Sequence, residues 1–101
     1  MANNPIPALT TTVITGGSAV IVFAANPNGG LIQNPLKNTD QNISTAEVLY
    51  VDPTGNPPTT SNNGTTFALQ PGETWAVIPN QSTNTQVNAV TSGHKFAGVS
   101  W

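Results

Sequence analysis

The sequence predicts an all-β fold: an antiparallel β-sandwich or small barrel, immunoglobulin-like or jelly-roll-like, with an extended N-terminal arm. Three observations predict it. β-Branched and aromatic residues gather into short runs. Clusters of Gly, Pro, Asn and Asp separate these runs at intervals of about 8–12 residues, the spacing of sandwich strands. No stretch repeats apolar residues at i, i+3, i+4 and i+7 over successive turns, so no helix is expected. A chain of 101 residues makes one domain, since domains typically run to about 100–150 residues. Residues 1–12 are assigned to the arm and 13–101 to the sandwich.

The arm, Met-Ala-Asn-Asn-Pro-Ile-Pro-Ala-Leu-Thr-Thr-Thr, has spaced prolines and little to bury, which suits an extended segment. A weak strand over Thr10–Thr15 ends at Gly16-Gly17. Ala19–Ala25 is continuously apolar, as expected of a strand covered on both faces. Asn26-Pro-Asn-Gly-Gly30 turns the chain, and Leu31–Asn34 is a short strand stopped by Pro35.

After a polar loop, Glu47–Val51 alternates, with Val48 and Tyr50 on one face and Glu47, Leu49 and Val51 on the other. Residues 52–64 are rich in proline and asparagine and lack apolar content, the mark of a surface loop with room to move. Thr65–Leu69 directs Phe67 and Leu69 inward, Pro71-Gly72 forms a tight turn, and Thr74–Ile78 returns. Thr85–Val90 sets Val87 and Ala89 on one face. Lys95–Trp101 sets Ala97, Val99 and Trp101 on one side. Pattern alone leaves immunoglobulin-like and jelly-roll windings both open.

Charge is the compositional outlier. Only 6% of residues are charged, against about 25% in an ordinary soluble domain. They are Lys37, Asp40, Glu47, Asp52, Glu73 and Lys95, for a net charge of −2. Two basic residues cannot support counterion-release binding, so neither nucleic acid nor an anionic membrane is an expected partner. The longest apolar stretch, Ala19–Ala25, falls far short of the ~20 residues of a membrane span. Met1-Ala-Asn-Asn-Pro5 has no secretory pattern, so synthesis in a cytoplasm is expected. Without cysteine there is no disulfide framework and no thiolate metal site, and no cofactor is expected.

Catalytic chemistry finds little support. His94 is the single histidine, and Ser92 with Asp52 or Asp40 are the groups that would complete a triad. Ser92 and His94 flank Gly93 in a turn, where the base is not poised over the nucleophile, and no Gly-x-Ser-x-Gly elbow occurs. A turn or strand-end histidine making an ordinary hydrogen bond is the better reading. Asp52-Pro-Thr-Gly-Asn56 lacks the alternating ligands and bidentate glutamate of a calcium loop and reads as a turn. The expected protein is not an enzyme.

A surface of Thr, Asn, Ser and Gln desolvates cheaply, because no ion must be stripped of water. Strand edges with almost no lysine also lack the usual guard against pairing. Both features favour a subunit in contact with copies of itself or a larger assembly. The candidate interface residues are Pro5, Ile6, Pro7 and Leu9 in the arm, Trp75, and Trp101. Trp75 equally suits packing between two sheets, and Trp101 suits fixing the last strand.

Ile14-Thr-Gly-Gly-Ser-Ala-Val20, Phe67-Ala-Leu-Gln-Pro-Gly-Glu-Thr-Trp-Ala-Val-Ile-Pro79 and Val87-Asn-Ala-Val-Thr-Ser-Gly-His-Lys-Phe96 together resemble small auxiliary virion proteins of tailed bacteriophages, the capsid decoration or cement proteins. The resemblance implies a non-enzymatic β-sandwich located in the virion. Its partners would be itself, as a homo-oligomer, and a larger protein shell such as a major capsid protein. No functional residue is carried over by it. The alternative is a carbohydrate-binding or adhesive module that stacks sugars on an exposed Trp75 or Tyr50.

Overall fold

The turn clusters cut the chain into eight strands, seen in a computed structural model that describes residues 8–61 and 64–101. In chain order they are β1 (Ala8–Ile14), β2 (Val20–Phe23), β3 (Gly30–Gln33), β4 (Leu49–Asp52), β5 (Phe67–Leu69), β6 (Thr74–Val77), β7 (Thr85–Asn88) and β8 (His94–Ser100), with one helical turn, α1 (Asn38–Gln41), between β3 and β4. The antiparallel pairs β1·β8, β2·β7, β3·β6 and β4·β5 nest like the rungs of one long hairpin. Rolling that hairpin brings β3 onto β8 and β4 onto β7. Two four-stranded sheets result, β1-β8-β3-β6 (sheet A) and β2-β7-β4-β5 (sheet B). Of the two windings left open by pattern, this is the jelly roll.

Between the sheets lie Ile32, Val77 and Phe96 from sheet A and Phe23, Leu49, Val51, Leu69 and Val87 from sheet B, with Ala89 just beyond β7. Every one is buried. Leu49 and Val51 share a face as their alternation predicts, that face is the inner one, and Leu69 stands opposite Leu49. Burying a side chain of this size contributes about 1.5–3 kcal/mol, so this cluster is the main support of the fold.

Several expectations are corrected. Residues 8–12, assigned to the arm, belong to β1 and continue a register that runs without a break from Ala8↔Ser100 to Ile14↔His94. Their threonines and flanking apolar residues suit a strand better than an arm. Pro5, Ile6 and Pro7 lie outside the described residues; Leu9 is paired with Val99. Ala19–Ala25 is not covered on both faces: β2 is an edge strand with a register shift between Ile21 and Phe23, and Ile21 is 59% exposed. The expectation of no helix misses α1, one turn closed by Asn42 at φ 61° and too short to show a helical period.

The Pro71-Gly72 turn forms as expected, with Gly72 at φ 92° and the Glu73 N–H donating to the Gln70 carbonyl at 2.9 Å. It does not make a hairpin, because β5 and β6 belong to different sheets. The end of β3 captures the returning chain instead: Gly72 N–H donates to Asn34 O (2.7 Å) and Asn34 N–H to Glu73 O (3.0 Å).

The loop after β4 is also tied down. Gln86 and Asn88 of β7 are buried beneath it and donate to the Gly55 and Pro58 carbonyls. Gln81 and Thr83 both donate to Pro53 O. The β7 part of sheet B is thereby roofed by its own chain, with Ile21 of β2 left exposed, while Leu31, Gln33, Thr74 and Ala76 are exposed on the outer face of sheet A.

Candidate functional site: the open face of sheet A

Alternation along β8 puts His94, Phe96 and Gly98 on the buried side and Lys95, Ala97 and Val99 on the other. The side shared by Ala97, Val99 and Trp101 is therefore the outer one. Pairing aligns it into rows: Thr74, Gln33 and Ala97 in one, Ala76, Leu31 and Val99 in the next. Leu31 is 41% exposed on this face, and Ile78 and Trp101 are exposed beyond it. Beside the small Ala97 lies an open depression of about 260 Å³ lined by Leu31, Gln33, Thr74, Ala97, Gly98 and Val99. Lys95, at the far end of β8, is the one charged residue in the strands of sheet A.

The exterior is even less charged than the composition suggests. Asp52 is fully buried and Glu47 is mostly withdrawn, so Lys37, Asp40, Glu73 and Lys95 are the exposed charges, two of each sign.

Trp101 docks on its own chain. Its N–H donates to Gly29 O at 3.1 Å, and its carbonyl accepts from the Asn28 and Gly29 N–H groups. The indole lies so close to Gly29 that a Cβ there would stand 2.9 Å from three of its atoms. Only glycine leaves room for that approach. Trp75 is half-buried against the core, with its ring 4.5 Å from that of Phe67 and tilted by 33°. Phe67 does lie on the inner side, opposite Val51, but the edge position of β5 leaves it 47% exposed. The pair closes one open side of the sandwich, so the Trp75 ring is already engaged.

His94 is fully buried at the start of β8, in a polar cluster that ties the two sheets together. Its Nε2 lies 2.9 Å from Asn34 Oδ1. Asn34 spends both Nδ2 hydrogens on Glu47 O (2.8 Å) and Leu69 O (2.9 Å), so its Oδ1 is an acceptor and His94 donates to it. Gln41, from α1, donates to the same Oδ1 and to Pro35 O, and its Oε1 accepts the Glu47 N–H. This explains why a four-residue helix is there: it delivers one buried glutamine. His94 Nδ1 has no hydrogen-bond partner and faces the Glu47 carboxylate at 3.9 Å. Burial pushes the imidazole below its usual pKa, and the Glu47 charge pulls partly back. Glu47 itself accepts from the N–H and the hydroxyl of Thr91.

None of the groups weighed for a triad is hydrogen-bonded to another. Ser92 Oγ accepts from the Gly16 N–H. Asp52 Oδ1 accepts from the N–H and hydroxyl of Thr54, and Oδ2 from Thr65 and Thr66. Burial alone would raise the Asp52 pKa, but these donors outweigh it and hold the carboxyl below its ordinary range. Among the described residues, no group of three His, Asp or Glu side chains gathers as a metal site.

The outer-face residues Leu31, Gln33, Thr74 and Ala76 were not among the sequence-based candidates, although Val99 and Ala97 had been placed beside Trp101. The missing signal was pairing: β3 comes to lie beside β8, with β6 beyond it, only after the roll closes. No family model, curated protein or solved structure matches this chain.

Proposed function

We propose that this chain is a structural virion protein: a homo-oligomeric decoration or cement subunit that binds the outside of a phage capsid and stabilises it. The observation that carries the reading is the contrast between the two outer faces. The β7 part of sheet B is roofed by the loop through Gly55 and Pro58, whereas sheet A presents Leu31, Ala76, Ala97 and Val99 with no charge among them. A face of this kind releases water at little cost when another protein covers it, and nothing on it must lose an ionic hydration shell. The resemblance to auxiliary virion proteins supports the same reading, as does the use of jelly rolls in capsid domains, a likeness at the level of fold alone.

Cosedimentation with capsid shells of the phage that carries the gene tests it. Wild type should pellet with shells and raise their melting temperature. The double variant Leu31→Lys, Ala76→Glu should stay in the supernatant while keeping its own melting transition. Wild type that neither pellets nor stabilises shells would end the proposal. Deleting residues 2–7, but not the strand residues 8–12, asks whether the N-terminal segment contributes to attachment.

A further inference from the structure

We infer that two copies of this chain join through the free edge of β1, in antiparallel register about Thr11, fusing their A sheets into one eight-stranded sheet. The inference rests on the homo-oligomeric part of the proposed function and names the surface involved. Four strand edges are open in a two-sheet sandwich; among the described residues they are those of β1, β6, β2 and β5. Three are guarded or short. β2 carries a register shift, β5 has three residues, and β6 has four with Pro79 soon after. β1 has seven residues, with no charge, proline or register shift. Long, uncharged, regular edges are the ones that pair with another chain.

The occupant is chosen by the pattern of β1. Ala8-Leu9-Thr10-Thr11-Thr12-Val13-Ile14 reads apolar, apolar, Thr, Thr, Thr, apolar, apolar in both directions. Antiparallel pairing about a two-fold axis at Thr11 sets Thr11 against Thr11, Thr10 against Thr12, Leu9 against Val13 and Ala8 against Ile14. Threonine meets threonine and apolar residue meets apolar residue at every position, the pairings that favour a sheet. A two-fold contact must be self-complementary, and this strand is. Position 11 is in register with Ala97, so it falls on the row of the open face, and the joined sheet would double the uncharged surface offered to a shell.

Sedimentation equilibrium of the full chain should give a dimer. Thr11→Lys sets two ammonium groups against each other at the axis and should weaken the dimer severalfold while leaving the melting transition in place. Thr11→Glu should do the same, and an equimolar mixture of the two should recover dimers of mixed mass. Because the chain has no cysteine, Thr11→Cys supplies a single thiol that should form an intermolecular disulfide under mild oxidation, whereas Ser82→Cys should not. That second readout holds even if a charged variant fails to fold. A monomeric wild type at millimolar concentration, a closed ring of odd number, or a dimer indifferent to charge at position 11 would overturn the inference. Shell binding by a folded Thr11→Lys monomer would leave the decoration reading standing, so the two failures are distinguishable.

Discussion

Replacing Asn34 by alanine removes the side chain that joins five parts of the fold: the end of β3, α1, the approach to β4, β5 itself and the start of β8. Its four hydrogen bonds are all within 3.1 Å, and the residue is fully buried. Not every partner is orphaned by the change. Glu47 O keeps Gln41 Nε2 at 3.2 Å, and Gln41 Nε2 keeps Pro35 O at 2.6 Å. The His94 Nε2–H loses its acceptor outright, and Leu69 O loses this donor. A buried polar group left unpaired costs about 1–3 kcal/mol, so for these two groups the expected loss is about 2–6 kcal/mol. That is a large share of the ~5–15 kcal/mol available to a domain. At about 4–8 °C per kcal/mol for a domain of this size, the melting temperature should fall by at least ~8 °C. Guanidinium titration followed by tryptophan emission measures the change directly. Asn34→Asp is the control: it keeps the acceptor for His94 but turns a second oxygen toward two carbonyls, so it too should be destabilised, less so at low pH where a charged His94 can pair with it. A loss below ~1 kcal/mol for Asn34→Ala would refute the view that this residue ties the sheets together.

Two further outcomes follow from the same geometry. His94 titrates below its ordinary 6.5 when folded, so the unfolded chain binds more protons between the two values. Stability should therefore be complete above pH 6.5 and decline as the pH falls, with a second decline below 3.8 from Asp52, also depressed in the fold. Melting temperatures between pH 8 and 3 should show both steps, and His94→Gln should remove the upper one; a flat profile down to pH 5 would contradict the burial argument. Gly29→Ala should cost about 1–3 kcal/mol through overpacking and shift tryptophan emission to the red as the Trp101 indole is displaced. Unchanged emission would mean that the indole does not rest on Gly29.

Much of this fold was legible in the chain itself. Leu49 and Val51 announce their face by alternation, since successive strand residues point to opposite sides of a sheet. Gly72 announces its turn because a left-handed backbone after proline suits glycine. His94, beside Gly93, was readable as a strand-end histidine with an ordinary hydrogen bond. The near absence of charge was there to be counted, and so was the threonine-centred symmetry of β1, although it carries meaning only once β1 is known to be an edge.

Partner choice between strands was not legible. Local sequence states where a strand begins and which of its sides is apolar, but not which strand lies beside it. Pro71-Gly72 has every local feature of a hairpin, yet it links two sheets, because Leu69 is buried opposite Leu49 while the following strand is held by β3. The roof over sheet B depends on Gln86 and Asn88, polar residues that look solvent-facing until loop carbonyls bury them. The bare face of sheet A exists for the same reason: β3, β6 and β8 come from distant stretches of chain and share a surface only after the hairpin rolls. Backbone conformation is decided over a few residues, whereas burial is decided by contacts between segments far apart in sequence, and here those contacts select the face left open for a partner.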